Sequence, residues 1–407
     1  MTDDLDRALR ATLTTAARQA PDVRAGLLNR VEKARRRRRR VRMSAAVAAV
    51  AVAVGGTGAV GGLLRSDHDT PPAATTAGDL KPVSLARLGA PVKLRERWPD
   101  AVRNVPGRLP NGRVLEPVAL LDGGTLVGAT TSSLQKPDKL WSYDLDGRKA
   151  RVITDIVVPG GSKIFASDFA IGQGQVIWWL SYRVNGRDTV EIWGAPLAGG
   201  TAHKIIGMRG DSITTLLIDG DTIVWGMSDG IHKAPLSGGA STVVPGTAGY
   251  EIVSWPWIGS PVYDGKAWPD VLYRSLWNER TGERRKAALA PLKGTWSCAV
   301  TWCVGSDPWK RTMTMQRRDG KAGKTLPLDT PASPMTLSVI YDRFIPYFPE
   351  GLRTRTHVLY DLRTGKLIDT GIPRTNEVLA RRRNDRNPQR FIQNEAGTAL
   401  IDFSKIP

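Results

Sequence analysis

Seven phrases recur along the C-terminal part of this chain, and their spacing restricts the fold more than any other feature. They are LWSYDLDGRK (140–149), EIWGAPLAGG (191–200), GIHKAPLSGG (230–239), LWNERTGERR (276–285), MTMQRRDGKA (313–322), HVLYDLRTGK (357–366) and TALIDFSKI (398–406). Each joins a strand-like run to a polar or glycine-containing turn. Set in register on Leu145, Leu197, Leu236, Glu279, Arg317, Leu362 and Phe403, they lie 52, 39, 43, 38, 45 and 41 residues apart, a mean of 43. A unit of that length holds four short strands. One such sheet leaves both faces bare, so each face is buried only against a neighbouring copy, and a ring of copies buries them all.

Between the phrases, residues 115–128 (LEPVALLDGGTLVG), 175–182 (QVIWWLSY) and 222–227 (TIVWGM) have the alternating or apolar texture of strands and hairpins, and no long helical period competes with them. The expected fold class is all-β, a β-propeller over residues 82–407 with seven blades, six being the alternative. The last phrase leaves only residues 404–407 after Phe403, too few for an outermost strand. An open edge would expose unpaired backbone groups. Residues 82–94 (PVSLARLGAPVKL) precede the first repeat and alternate enough to add one strand, so a strand from residues 82–104 is expected to complete the blade that residues 376–407 begin.

The turns YDLDG (143–147), APLAGG (195–200), APLSGG (234–239) and YDLRTG (360–365) give residues 83–407 a texture that resembles the membrane-anchored, TolB-like or WD40-like β-propeller proteins of high-GC bacteria. These motifs are structural turns, so the resemblance implies an architecture and no ligand. The N-terminal DDLDRALRATL, set ahead of an arginine run and an apolar segment, is similar to the heads of single-pass proteins associated with extracytoplasmic-function sigma factors. That second resemblance implies a cytoplasmic sigma factor as partner, although the His and paired Cys of zinc-containing anti-sigma domains are missing.

The 22 residues from Met43 to Leu64 carry no charge. As a helix they would span about 33 Å, the hydrocarbon thickness of a bilayer. Arg35, Arg36, Arg37, Arg38, Arg39, Arg40 and Arg42 stand on one side, against Arg65, Asp67, His68 and Asp69 on the other. An excess of arginine stays cytoplasmic, so the arginines are read as topology determinants beside anionic headgroups and the C-terminal part as external. A cleaved signal peptide competes, but 42 residues are too many for an ordinary n-region. The expected organisation is a basic cytoplasmic head (1–42), a transmembrane helix (43–64), a flexible Pro/Thr-rich linker (65–81) and an extracytoplasmic propeller (82–407). In the head, Leu5, Leu9 and Leu13, then Val23, Leu27 and Val31, form two narrow stripes with no core of their own, a candidate partner-binding surface.

The formal net charge is +19, with 13 Lys/Arg against 5 Asp/Glu in residues 1–42 and 45 against 34 in the remainder. On an external domain that balance excludes gene regulation, and no nucleic-acid partner is expected; anionic lipid, wall polymer or polysaccharide fits it. Cys298 and Cys303 are the complete cysteine set, and an oxidising compartment permits a disulfide between them if residues 299–302 turn. His68, His203, His232 and His357 show no ligand spacing, so no metal, cofactor or catalytic residue is assigned. Asp168, Asp219 and Asp221 are carboxylates that a fold could pair, as glycosidases do. All 13 tryptophans follow residue 97, and Trp141, Trp193 and Trp277, just ahead of repeat turns, are expected to fill the space between blades. In residues 254–270 (SWPWIGSPVYDGKAWPD), Trp255, Trp257, Tyr263 and Trp268 sit among Pro and Gly, a candidate loop for stacking on sugar or peptide. The function expected is a non-enzymatic binding or signalling module of the cell membrane that recognises an envelope protein, peptide or polymer. A propeller hydrolase or lyase acting on polysaccharide, and a structural scaffold, are the alternatives.

Overall fold

The structure, a computed structural model, describes residues 80–407 apart from 122–123, 134–135, 157–164, 211, 261–268, 308, 329–338, 348–355, 374–388 and 395–396. The head with its two apolar stripes, the arginine run, residues 43–64 and the linker up to residue 79 lie outside the described residues. Among those described, no helix is long and apolar enough to cross a membrane. The chain divides after Thr70, and the ring belongs to the unit Pro71–Pro407.

The described strands form seven sheets. The first runs Leu115–Leu121, Thr125–Ser133, Lys136–Asp144 and Lys149–Asp155; the second Phe165–Gly172, Gln175–Val184, Arg187–Pro196 and His203–Arg209. The third holds Thr215–Asp219, Thr222–Met227, Gly230–Pro235 and Thr242–Val243, and the fourth Glu251–Ser254, Trp257–Ser260, Ser275–Asn278 and Arg284–Lys286. The fifth is built on Thr295–Cys298, Trp302–Asp307, Thr312–Arg317 and Lys324–Pro327, the sixth on Phe344–Pro346, Thr356–Asp361 and Leu367–Pro373, and the seventh on Gln389–Asn394 and Gly397–Asp402.

Seven apolar clusters join these sheets in succession. Val127 and Leu140 of the first meet Trp178 and Leu180 of the second; Ile192 and Trp179 meet Trp225 and Leu216 of the third; Val224 and Ile231 meet Ile258 of the fourth. Ala287, at the end of the fourth, packs with Trp296 and Cys298 of the fifth, and Met313 and Leu326 of the fifth with Ile345 and Tyr360 of the sixth. Phe344 and Ile368 then meet Ile401 and Phe403, and Leu400 returns to Leu115 and Leu126 of the first. The circuit is that of a propeller, because every sheet is apolar on both faces and buries each against a neighbour. Trp178 and Trp225 are fully buried in it, each worth roughly 1.5–3 kcal/mol or more in removal from water.

The repeat has a hydrogen-bonding origin. The strands within the seven phrases end at Asp144, Pro196, Pro235, Asn278, Arg317, Asp361 and Asp402, so six of the register residues begin the following turn. There the N–H groups of Leu145, Leu197, Leu236, Glu279 and Leu362 donate to the carbonyls of Gly124, Gly174, Asp221, Pro256 and Arg343, at 2.7–3.0 Å. Each bond ties the outer turn of a sheet to its inner turn on the same face of the ring. The side chain at this position also enters the interface with the preceding sheet, as Leu145, Leu197 and Leu236 do. In the fifth sheet the bond comes one residue later, from Arg318 to Thr301 at 2.8 Å. Asx turns shape several of these corners: Asp144 Oδ1 accepts from the N–H groups of Asp146 and Gly147, and Asn278 Oδ1 from those of Arg280 and Thr281.

The N-terminal segment completes the seventh sheet as expected of residues 82–104, through Val102–Val105, but residues 82–94 do not form the one strand their alternation suggests. On the way the segment also crosses the outer edges of two other sheets. Lys81–Pro82 pairs in parallel with Lys324 and Thr325 of the fifth sheet, Val92–Lys93 in parallel with Ile368 and Asp369 of the sixth, and Val102–Val105 antiparallel with Thr398–Ile401 of the seventh. Pairing therefore begins at Lys81, the last residue of the expected linker. Leu88 and Leu94, on the intervening helical turns, plug into the apolar clusters beneath. Proline and glycine interrupt the alternation, which is why one continuous strand does not form. Only five sheets are regular four-stranded blades, fewer than the seven expected. The fifth has six strands, gaining Lys81–Pro82 and Val271–Leu272, and the seventh has three among the described residues.

Candidate ligand-binding cleft

A cleft of ≈ 550 Å³ opens between the fifth and sixth sheets on the face that carries the repeat turns. Its wall on the fifth sheet comes from two corners. Ala299 N–H donates to the Trp302 carbonyl at 2.7 Å, closing a hairpin in which Cys298 and Cys303 face each other and are joined by a disulfide of 2.07 Å. This hairpin presents Thr301 and the half-buried Trp302. The second corner supplies Arg317 and Lys324 at the facing ends of two paired strands, with Met315 behind them.

The sixth sheet contributes a two-residue turn. Arg343 N–H donates to the Ile340 carbonyl at 3.1 Å, and Tyr341 and Asp342 between them both take positive φ, 52° and 47°. Two consecutive left-handed residues are what a mirror-image hairpin turn demands, at a cost of about 1 kcal/mol or more for a bulky side chain. The turn brings Asp342 against the disulfide hairpin, where its Oδ1 accepts the Thr301 N–H at 3.2 Å. Although the residue as a whole is exposed, its carboxyl sits in the cleft wall. Loss of solvent there raises its pKa, against the hydrogen bonding of Thr301 and the nearby charges of Arg317 and Arg318.

Arg343 is fixed from several sides. It makes two bonds to Asp361, 3.0 Å to Oδ1 and 2.7 Å to Oδ2, donates to the carbonyls of Ile406 and Pro407, and lies 4.8 Å from the Phe344 ring centroid. Burial alone would raise the Asp361 pKa. Hydrogen bonds from Arg343, the Thr364 hydroxyl and the Arg363 N–H outweigh it and hold the carboxyl below its ordinary value. Tyr360 is fully buried beside this pair, and burial, then the Asp361 charge, pushes its pKa up. A methyl group on Gly365 would lie 3.5 Å from Tyr360 Oη and 3.6 Å from Lys324 Nζ, so these polar atoms converge on one turn.

The lining thus holds four cations, Arg317, Lys324, Arg343 and Arg363, and one carboxylate, Asp342. Arg343 is committed to Asp361, and Arg317 lies 3.8 Å from Asp319 at the surface. Lys324 and Arg363 enter no ion pair among the described residues. Such a lining attracts oxyanions. Among the described residues it has no second carboxylate with which to form an acid–base pair, and no three His, Cys, Asp or Glu side chains gather to hold a metal ion.

Residues singled out in the sequence are placed differently. Trp255 is 2% exposed and belongs to the cluster between the third and fourth sheets. Its Nε1 donates to Asp219 Oδ2 at 2.7 Å, and Lys233 Nζ lies 5.0 Å from its ring centroid. It is a sealing residue rather than a stacking platform, because from the turn between Glu251–Ser254 and Trp257–Ser260 it packs into the cluster shared with the third sheet. Trp257 is half-buried under the Arg285 guanidinium at 4.3 Å; Tyr263 and Trp268 lie outside the described residues. Asp219 is ion-paired with Arg280 of the fourth sheet, and Lys233 with Glu279 at 2.5 Å. His232 stacks on Trp225 and contacts Asp229 at 2.8 Å. Trp141, Trp193 and Trp277 pack, partly buried, against clusters between sheets. The cleft residues escaped sequence reasoning because they are split between two repeat phrases, 313–322 and 357–366, and the corners between repeats that supply Trp302, Lys324, Asp342 and Arg343; the only signals were the aspartate-bearing turn Tyr341-Asp342 and the arginine inside YDLRTG.

No family model matches this chain, and no curated protein does. Solved structures do. TolB from Acinetobacter baumannii matches at 16% identity and a TM-score of 0.33, over 53% of this chain and 55% of that one. An oligogalacturonate lyase from Vibrio parahaemolyticus matches at 10% and 0.38, over 69% and 75%. Dipeptidyl peptidase 4 from Porphyromonas gingivalis matches at 11% and 0.39, over 81% and 55%. The chain thus spans about half the length of the TolB chain, 55% of it. The propeller assignment rests on the sheet circuit above.

Proposed function

We propose that the chain is a membrane-anchored binding and signalling module, in which the ring recognises a component of the cell envelope and residues 43–64 hold it at the membrane. The observation that supports recognition over catalysis is the composition of the cleft, cation-rich with a single carboxylate on rigid corners. Glycoside hydrolysis needs two carboxylates set across the bond. The uncharged 22-residue segment and the arginines before it support an anchor with the ring outside. The leucine and valine stripes of residues 1–42 support a cytoplasmic partner, and a sigma factor is the regulator we propose.

Protease added to intact spheroplasts carrying the full-length chain should digest the ring and spare the head. Crosslinking from the cytoplasmic side should then capture a sigma factor, and replacing Leu5, Leu9 and Leu13 by Ser should lose it. Protection of the ring, or a mature N-terminus near residue 54, would overturn the anchored topology.

A further inference from the structure

We infer that the cleft between the fifth and sixth sheets binds a sugar unit bearing one oxyanion, a phosphate or a carboxylate. This deepens the recognition reading and rests on it. The cleft, at ≈ 550 Å³, exceeds what a bare inorganic anion fills and falls in the range of small-molecule sites. Lys324 and Arg363 supply positive charge that no protein carboxylate neutralises among the described residues. Charge-assisted bonds to an oxyanion are the strongest contacts such groups make.

Asp342 distinguishes the ligand class. A bare anion would be repelled by a carboxylate at the rim, whereas a ligand that also carries hydroxyls donates to it, beside the contact that Thr301 makes. Trp302 supplies the remaining element, a half-buried aromatic with Leu362 and Met315 beside it. An aromatic surface next to polar groups suits a ring that is apolar on its face and polar at its edge. The hairpin carrying Trp302 is tied by the Cys298–Cys303 disulfide, so the platform is held in place before the ligand arrives.

The test titrates full-length protein in detergent micelles with glucose 6-phosphate, glucuronate, glucose and inorganic phosphate, following tryptophan fluorescence and heat. The expected result is saturable, salt-sensitive binding of at least one anionic sugar and none of glucose. Binding of the phosphate ester alone identifies a phosphorylated ligand, and of glucuronate alone a carboxylated one. The Lys324→Ala/Arg363→Ala double variant should weaken binding about tenfold or more, as loss of two charge-assisted contacts requires. Should that variant fold poorly, the exposed Arg363→Gln alone should still weaken it several-fold. Trp302→Leu should weaken the sugar anions and leave inorganic phosphate unchanged. Absence of saturable binding by both anionic sugars, equal binding of glucose, equal affinity for inorganic phosphate, or wild-type affinity in a folded double variant would each overturn the inference. None of these outcomes alters the spheroplast result, so the two readings fail separately.

Discussion

Replacing Arg318 by Met should loosen the joint between the fourth and fifth sheets. Arg318 is 5% exposed and its guanidinium is met by main-chain carbonyls: Ala299 at 3.1 Å from Nε and 2.6 Å from Nη2, Arg274 at 2.9 Å, and Tyr273 at 3.1 Å. Burial, then repulsion from Arg285, pushes its pKa down to about 10, which corresponds to about 3 kcal/mol of cost in keeping it charged. Charge-assisted bonds to three carbonyls contribute about 1.5–3 kcal/mol each, so the net loss on removal is about 2–6 kcal/mol after the relief of desolvation. The Arg274 carbonyl retains the Ala287 N–H at 2.8 Å, which favours the lower half of that range. For a domain of this size each kcal/mol shifts the midpoint by about 2 °C, giving a fall of about 4–12 °C. Thermal unfolding followed by circular dichroism measures it. Arg318→Lys, which keeps the charge but cannot span three carbonyls, should fall between Met and wild type, and hydrogen exchange should quicken at residues 271–275 and 298–303. A Met variant that melts with the wild type, or one whose exchange changes elsewhere, would refute the reasoning.

Acid should weaken the sixth sheet. Because Asp361 has a folded pKa below its ordinary value, its stabilisation is complete above about pH 4 and is lost as pH falls through the folded pKa; Asp361→Asn should remove that acid-dependent part of the unfolding curve and cost about 3–5 kcal/mol at neutral pH. Trp255→Phe should cost about 1–3 kcal/mol by leaving Asp219 short of a donor, as denaturant titration would show. The Cys298–Cys303 bridge closes only a short loop, so reducing it should cost about 2 kcal/mol, with Trp302 fluorescence shifting to the red. Gly199 takes a φ of +103°, and a methyl group there would come within 2.8 Å of Arg151 Nη1, which bonds the Ala198 carbonyl. Gly199→Ala should therefore lower the melting midpoint, whereas Gly246→Ala, with open space and φ +76°, should lower it less.

Most of the ring was legible because its repeats are turns with local chemistry. An aspartate or asparagine that closes an Asx turn, followed by glycine at positive φ, reads the same in NERTG and YDLRTG, and in YDLDG the left-handed residue comes one place later, at Arg148. The register failed by one residue in the fifth phrase for a physical reason. The position filled by Leu or Phe in five of the other phrases and by Glu279 in the fourth is occupied there by Arg318, whose charge hides its buried role. Trp255 misled in the opposite direction, since the Pro and Gly around it signal a loop but give no indication of which neighbouring sheet the ring faces. The cleft was illegible because its groups come from separate corners that only the packing of the fifth sheet on the sixth brings together, and the spacing between sheets is written in no single repeat.

The crossing of three outer edges by residues 81–105 has a consequence in time. These residues are synthesised before the ring, yet the strands that receive them, Lys324–Pro327, Leu367–Pro373 and Gly397–Asp402, come at its far end. Pairings between such distant parts of a chain form slowly, and a nascent chain that folds as it emerges must keep residues 81–105 unpaired while the middle sheets assemble. Until residues 398–401 arrive, the product is an arc with bare ends that proteases and chaperones can still inspect. Completion is then a single late event, in which residues 102–105 latch onto residues 398–401.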